Sequence, residues 1–422
     1  MTDEKKKSGG FSLFAGDRVL WIIVAALVII SILVVYSSTA KMGYNPRDAR
    51  TTAGFLKQHL IVLLAICVPV VLVVHRINCR VFNRLALWVY LGMLLLTLAV
   101  PYIGGETNGA ARWINIFGFQ FQPSEALKIA TIMLLAKNLA SRQSAMDRLR
   151  IVPSLNPISW FKDPEQKKIL KTGTLPILAP MLAACLVIFP AHTSSAVLVF
   201  GVGLIMMFIG RVRMTELAKI VGLAVAAVGV IALLGLGRAD TAGGRVSTWI
   251  NLWTHSQADK EVKDLTDTER SMIAIREGGL IGRGAGRSAV RVEMTHPESD
   301  YIFSFFVEEY GIIMGMILVI LYAWIFARAV YIFRGCRWLF GGLLVLGLAL
   351  LIVCQALLHF MVSTNLFFET GQNLPLISHG GTSMLCTAAA LGIILSISRQ
   401  VNNRTLTPPE GTAAMTPPEE DF

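Results

Sequence analysis

The chain has 422 residues, of which 54% are hydrophobic and only 15% charged, with a formal net charge of +11 and a mean hydropathy of +0.62. A soluble globular chain is nearer 45–50% apolar and about 25% charged, so this composition excludes a soluble multidomain protein and predicts an all-α polytopic membrane protein. The excess positive charge gathers in short inter-helix loops, the pattern that orients a membrane protein, and no nucleic-acid partner is expected.

Taken in order, residues 1–17 read as a polar, basic cytoplasmic tail, and residues 18–400 as a single membrane domain. Spans are predicted at Val19–Ala40, His59–His75 and Val81–Val100, each close to the ~20 helical residues that cross a bilayer. A Gly-rich loop, Gly104–Pro123, then leads to a short apolar helix, Ser124–Ala140. The most basic loop, Lys137–Lys171, precedes a hairpin of spans, Thr174–Phe189 and Ser194–Ile209, joined by Pro190-Ala-His-Thr193. A seventh span near Leu217–Leu236 is followed by the longest polar segment, Gly237–Asp300. The last three spans are Tyr301–Ile325, Leu339–Val362 and Thr382–Ile397, and residues 401–422 read as a disordered cytoplasmic tail.

Counting Ser124–Ala140 gives about ten spans with both ends cytoplasmic. The loops 104–123, 237–300 and 363–378 then all lie outside, the second being a large extracytoplasmic loop between helices 7 and 8. Lys41, Arg47, Arg50 and Lys57 conflict with that orientation and are outvoted by the other loops. The six cysteines lie in or beside apolar segments without paired metal-ligand spacing, so they read as small buried hydrophobes. No metal site is expected.

Three constellations fall on the outer side. In the first, Arg112 precedes Gln122-Pro-Ser-Glu-Ala-Leu-Lys128, where Pro123 and Ser124 start a helix. Glu125 and Lys128 stand i, i+3 and share a face. Two readings stand: a self-neutralising ion pair that lets a short helix enter the membrane, or a phosphate grip by Arg112 and Lys128. The second is the long loop, with Arg245-Val-Ser-Thr-Trp-Ile250 and the glycines between Gly278 and Gly286. Close approach to a ligand and a tight irregular turn explain that run equally well. The third is Thr370–Ser383, a polar Gly-rich entrance to a span, in which Ser378 and His379 stand. Such backbone is buried in protein or lines a wet cavity, and an ordinary hydrogen-bonded histidine explains His379. The hairpin His192-Thr-Ser-Ser195 reads as a tight turn.

Acids cross the boundary between the last polar loop and the eighth span. Glu298 and Asp300 precede it, whereas Glu308 and Glu309 lie within it, where an unpaired carboxylate is costly. Two turns separate Asp300 from the deeper pair if the segment is helical. The surface thus offers carboxylates, guanidinium and lysine groups to a lipid-linked anionic substrate.

These segments resemble the shape, elongation, division and sporulation family, the FtsW/RodA type of peptidoglycan glycosyltransferase. The resemblance spans Asp17 to Arg399. It rests on Gly109-Ala-x-Arg-Trp-Ile114, Gln122-Pro-Ser-Glu-x-x-Lys128, Gly278-Gly-Leu-x-Gly-x-Gly284, Ser299-Asp-Tyr-Ile-Phe303 with Glu308-Glu-x-Gly311, and Thr370-Gly-x-x-Leu-Pro-x-x-Ser-x-Gly-Gly-Thr-Ser383. It implies polymerisation of lipid II at the outer face of the cell inner membrane, with the family's essential carboxylate falling on Asp300. Arg112, Glu125, Lys128, Arg245, Glu308, Glu309, Ser378 and His379 form the implied substrate-binding set. The implied partners are lipid II, membrane lipid, a class B penicillin-binding protein (a transpeptidase) and other divisome proteins. No cofactor is required by the sequence, and a divalent cation, Mg or Mn, is compatible with the chemistry.

The chain departs from the family at three places. Ser299-Asp300 stands for Thr-Asp, with His296 displaced by Pro297-Glu298. Phe189-Pro-Ala-His-Thr-Ser194 replaces a Gln-Pro-Asp-x-Gly-Thr hairpin and removes its Asp. Ser378-His-Gly-Gly381 stands for Ser-Tyr-Gly-Gly. Asp17-Arg-Val-Leu20 and Tyr36-Ser-Ser38 are more like the division branch than the elongation branch. A flippase for the same lipid shares the hydrophobic body but needs its polar site near midplane. A scaffold that only recruits a transpeptidase leaves Glu308 and Glu309 unexplained.

Overall fold

The computed structural model describes residues 14–38, 52–103, 105–107, 110–116, 119–154, 159–233, 239–254, 265–288, 294, 299–403 and 405–406. Helix α1 (Arg18–Ser38) is followed by α2 (Thr52–Leu60), a π-helical segment Ile61–Cys67, α3 (Val68–Val74) and α4 (Cys79–Ile103). Three short strands come next: β1 (Gly105–Thr107), β2 (Ala110–Ile116) and β3 (Phe119–Phe121). Helix α5 (Pro123–Ala140) precedes the small helices α6 (Ser159–Lys162) and α7 (Pro164–Ile169), a second π-helical segment Leu170–Leu178, and α8 (Ala179–Ile188). The chain continues through α9 (Thr193–Ile209), α10 (Met214–Leu233), α11 (Ala239–Thr254), α12 (Asp267–Gly278), α13 (Ile302–Gly335), α14 (Leu339–Ser363) and α15 (Gly381–Asn402). Both π-helical segments lead into prolines, Pro69 in one and Pro176 with Pro180 in the other. A proline removes an i→i−4 bond, and a wider turn re-registers the ladder around it.

Among the described residues, seven helical stretches are long and apolar enough to cross a membrane: Arg18–Ser37, Leu56–Val74, Cys79–Ile103, Pro164–Ile188, Ile302–Gly335, Leu339–Ser363 and Gly381–Asn402. The protein is an integral membrane protein. The other three segments of the expected ten coincide with α5, α9 and α10. Of these α9 is apolar but only 17 residues long, and α5 carries Glu125 and Lys128 in its first two turns. The core is built on α14 and α15, whose apolar windows are 78% and 83% buried, against 22–39% for the other five spans. The outer helices turn long apolar side chains such as Trp88, Leu95, Leu186 and Trp324 outward, as helices facing lipid do.

One expectation is corrected. The 104–123 segment is not a simple loop and the protein is not purely helical, because β1, β2 and β3 form a small antiparallel sheet in that order. Thr107 pairs with Ala110 and Ile114 with Phe121. The sequence between the first pair is Asn108-Gly109, a strong two-residue hairpin signal. Alternation in Ile114-Asn-Ile116 and the β-branched and aromatic residues around it suit a strand.

One end of the bundle is stitched by basic groups. Asp17, 5% exposed, accepts from the Leu20 amide at 3.0 Å and caps α1. The Arg328 guanidinium donates to the other oxygen of the same carboxylate. Arg399 donates to the Arg76 carbonyl at 2.9 Å, which closes the end of α15 onto the α3–α4 turn. At the opposite end the sheet is anchored to α15, where Thr382 Oγ1 donates to the Gln120 carbonyl at 2.7 Å and accepts from the Gln122 amide at 3.1 Å.

Candidate active site

Helix α5 starts where extended Gln122 meets Pro123 at the first helical position, a placement that uses the missing proline amide. Its first two turns are buried, and Lys128, 1% exposed, is among the largest fully enclosed side chains. Lys128 Nζ lies 2.8 Å from Glu125 Oε1 and donates to Gln355 Oε1 of α14 at 3.4 Å. Gln355 Nε2 donates in turn to the Asn373 carbonyl at 3.1 Å. The ion pair expected from the i, i+3 spacing is therefore made, and an outside partner extends it.

His192 stands against this pair. Its Nδ1 accepts from the Ser195 amide at 3.3 Å and caps α9, so the ring proton belongs on Nε2. Gln372 Nε2 donates to Ser194 Oγ and Ser195 Oγ, both at 3.0 Å, and lies 3.3 Å from His192 Nδ1. Burial pushes the His192 pKa down to about 4; the Lys128 cation pushes the same way, Glu125 opposes it, and the Arg112 guanidinium adds to the depression. Arg112, Glu125, Lys128 and His192 thus form one electrostatic cluster with a neutral imidazole.

The segment Thr370–Ser378 connects this cluster to Asp300. At one end the Thr370 carbonyl accepts from Ser194 Oγ at 2.7 Å, and the Gln372 carbonyl accepts from His359 Nδ1 at 2.8 Å. At the other, Ser378 Oγ donates to the Ser299 carbonyl at 2.8 Å while accepting from the Leu374 amide at 2.8 Å. Asp300 is half-buried in the turn that enters α13. Ser378 therefore stands beside the carboxylate by way of its neighbour's carbonyl.

The remaining expected residues are placed differently. Arg245, on α11, faces Glu369: its Nε lies 3.9 Å from Oε2 and its guanidinium donates to the Glu369 carbonyl at 3.3 Å. Glu308 is fully buried, accepts from Ser288 Oγ and lies 3.8 Å from Arg283 Nη1. Glu309 Oε1 accepts from Ser37 Oγ at 2.5 Å and from the Gly286 amide at 2.8 Å. His379 lies against His59, ring centroids 5.6 Å apart. Glu298 and His296 fall outside the described residues.

The glycine run touches the chain itself. A Cβ on Gly278 would meet the Val307 carbonyl oxygen at 2.2 Å, and one on Gly282 the Glu309 carbonyl oxygen at 2.3 Å. The Arg283 and Gly284 amides donate to the Glu308 and Glu309 carbonyls at 2.9 Å. These carbonyls are available because α13 breaks at Gly311 (φ 85°, ψ 168°), a backbone region open essentially to glycine alone. Of the two readings of the run, close approach to a ligand and a tight irregular turn, the contacts seen are to the chain's own backbone.

His192, Ser194, Ser195, Gln355, His359 and Gln372 were not singled out from the sequence as site residues. Two signals pointed to them. Gln355 and His359, four residues apart, are the polar interruptions of an otherwise apolar span, where polar groups are functional by default. His192-Thr-Ser-Ser195 before an apolar run is also a helix-start pattern. Among the described residues, no group of three or more His, Cys, Asp or Glu could hold a metal ion.

The fold and the site together define an integral membrane protein with a charged cluster enclosed at one end of its helix bundle. Residues 17–403 match the family of cell cycle proteins that comprises FtsW, RodA and SpoVE, and the chain belongs to that family. It is 31% identical over 414 residues to a "Probable peptidoglycan glycosyltransferase FtsW" of Trichlorobacter lovleyi, covering 94% of this chain and 97% of the relative. A protein of the same name from Geobacter sulfurreducens is 29% identical over 91% of this chain and 95% of its own. The stage V sporulation protein E of Bacillus subtilis is 29% identical over 91% of this chain and 97% of its own. The fold is similar to that of the Thermus thermophilus rod shape determining protein RodA, with a TM-score of 0.58 at 22% identity, over 92% of this chain and 97% of that one. A chain of a peptidoglycan synthase complex, from a study of polymerisation and crosslinking, gives a TM-score of 0.65 at 21% identity, over 92% and 98%.

Proposed function

We propose that this chain is a peptidoglycan glycosyltransferase that polymerises lipid II into glycan strands during cell division. It works as a ten-span protein of the cell inner membrane with both termini cytoplasmic and its site facing the periplasm. The observation that carries the reading is the Thr370–Ser378 segment, hydrogen-bonded at one end to the carbonyl preceding Asp300 and at the other to the side chains around Lys128. One substrate spanning that segment meets a carboxylate at one end and the buried Lys128 with Arg112 at the other.

Asp300 takes the proton of the acceptor sugar's 4-hydroxyl as its oxygen attacks the anomeric carbon of the donor. The carbon–oxygen bond to phosphate breaks, and undecaprenyl pyrophosphate departs with the electron pair. An α-linked donor giving a β-linked product is inversion, so no covalent enzyme nucleophile is needed. A positioned base contributes roughly 10²–10⁴-fold. Lys128 and Arg112 stabilise the negative charge of the leaving group, which grows as the bond breaks. His192, neutral at physiological pH, fills the cluster without competing for that anion. A divalent cation, Mg or Mn, carried on the pyrophosphate would add to that stabilisation and needs no more than one or two protein carboxylates.

The cluster sits at the starts of α5 and α9 and near the entrances to α13 and α15, at one end of the bundle. That placement supports polymerisation over transport, which needs a midplane site with two-sided access. A class B transpeptidase is the proposed partner, in keeping with the fold shared with a synthase-complex chain. The test is polymerisation of labelled lipid II by purified protein in detergent, with and without such a transpeptidase. Asp300→Asn is expected to abolish polymer while leaving membrane insertion and thermal unfolding unchanged, and full activity of that variant overturns the assignment.

A further inference from the structure

A cavity of about 340 Å³ lies beside the site, enclosed by α11, the start of α12, Tyr301 and the 365–369 segment. We propose that it is a saccharide subsite, holding one uncharged pyranose ring of the glycan next to Asp300. The inference rests on the polymerase reading above and adds where a sugar, as distinct from the pyrophosphate, is held.

The lining has the chemistry a sugar needs. Trp249, Tyr301 and the stacked pair Phe367–Phe368, ring centroids 4.2 Å apart, supply apolar faces. Such faces suit the C–H surface of a pyranose, while a ring's hydroxyls need acceptors. Asp267 and Glu369 supply them. Asn365 supplies another: it lines the cavity and is 4% exposed, and its Oδ1 has no hydrogen-bond partner. The left-handed conformation of Asn365 (φ 57°) just past the end of α14 explains why an asparagine stands there. It does not explain why a buried carbonyl oxygen goes without a donor, which is uncommon in a native structure. As it stands that oxygen has under 1 Å² of accessible surface, and a turn of the amide would present it to a sugar hydroxyl.

The charges select against the alternatives. Arg245, Asp267 and Glu369 are the charged residues of the lining and sum to −1, which disfavours a pyrophosphate. Both acids already face guanidinium groups, Glu369 that of Arg245 at 3.9 Å and Asp267 that of Arg270 at 3.2 Å, which disfavours a divalent cation. The volume is at the small end of the roughly 300–1,000 Å³ of ligand pockets, the size of one sugar rather than of a lipid tail. The position suits the reaction, since Tyr301 follows Asp300 directly and its hydroxyl is fixed by Thr268 Oγ1 at 2.9 Å. Glu369 is followed by Thr370, where the contacts to the Lys128 cluster begin. A sugar in this cavity would lie between Tyr301, next to Asp300, and the start of the segment that reaches the Lys128 cluster.

The experiment is saturation-transfer NMR on the full-length protein in a detergent without sugar headgroups, with chitotriose as the probe. The wild type and Asp300→Asn are expected to transfer saturation to the ring and N-acetyl protons. Leu252→Trp, which fills the cavity from its wall, is expected to reduce that transfer at least fivefold at an unchanged melting temperature. Trp249→Leu should do the same, but it also removes the Trp249 Nε1 bond to the Asn365 carbonyl, so Leu252→Trp decides. No transfer in the wild type, or equal transfer in Leu252→Trp, overturns the proposal. So does a tryptophan-fluorescence response to magnesium chloride or inorganic pyrophosphate that Leu252→Trp abolishes while chitotriose gives none. Lipid II polymerisation without chitotriose binding sinks the subsite and spares the polymerase reading. Cavity-dependent chitotriose binding without polymerisation in the presence of a transpeptidase does the reverse.

Discussion

Gly282 and Glu309 meet backbone to backbone: a methyl group on Gly282 would stand 2.3 Å from the Glu309 carbonyl oxygen. The obstacle is main chain, so no side-chain rotation relieves it, and the φ of Gly282, 89°, is itself unfavourable for an L residue. Gly282→Ala is expected to destabilise the protein by about 3 kcal/mol, from overpacking and backbone strain together. Thermal unfolding in detergent measures it, and a wild-type midpoint would show that the crossing is loose.

Glu309 tests the same crossing through its side chain. Its Oε1 accepts from Ser37 Oγ and the Gly286 amide, and a glutamine carbonyl oxygen can accept both bonds. Glu309→Gln should therefore be mild, whereas Glu309→Ala leaves both donors without the carboxylate and should cost about 2–3 kcal/mol. Equal midpoints for the two variants would contradict this pairing.

The Glu125–Lys128 pair separates structure from binding. Removing Glu125 alone leaves a buried ammonium with less compensation, and breaking a buried pair typically costs about 3–5 kcal/mol. The double variant Glu125→Gln/Lys128→Met should recover most of that stability. If Lys128 also grips the pyrophosphate, the recovered protein will still polymerise lipid II at least tenfold more slowly. Recovery of both properties would reduce the pair to a structural one.

His192 gives a pH test. Its folded pKa is lowered from 6.5 to about 4, so between those values the unfolded chain binds more protons than the folded one. Stability then rises with pH through that window, is complete above about 6.5 and is lost on acidification toward 4. His192→Asn keeps a good helix cap without titrating there. The slope of melting temperature between pH 4.5 and 6.5 should be shallower in the variant than in the wild type.

Much of the helical framework was legible because apolar runs of span length have few alternatives, as at Leu339–Val362. The strands on either side of residues 108–109 read as loop, because a short polar stretch between two spans needs no secondary structure of its own, although Asn-Gly is a hairpin signal. The Glu125–Lys128 pair followed from spacing alone. What spacing could not convey was long-range pairing. Gln355 and Gln372 reach the cluster from α14 and from the segment after it, and no local pattern links them to Lys128. Nor did the apolar run after Asp300 reveal the break at Gly311, since Glu-Glu-Tyr-Gly-Ile312 reads as helix until Gly278–Gly284 is laid against it.

That break bears on how the protein tolerates its surroundings. A continuous rod of 34 residues would carry any tilt imposed by bilayer thickness straight to its upper end, and helices do tilt when their apolar length and the membrane disagree. Here the Gly278–Gly284 loop binds both sides of the break: the Arg283 and Gly284 amides donate to the Glu308 and Glu309 carbonyls above it, and the Ile312 amide donates to the Gly279 carbonyl below it. The break is thus spliced rather than left as a hinge, so a tilt of the lower column is passed to the Gly278–Gly284 loop as well as to the turn that bears Asp300.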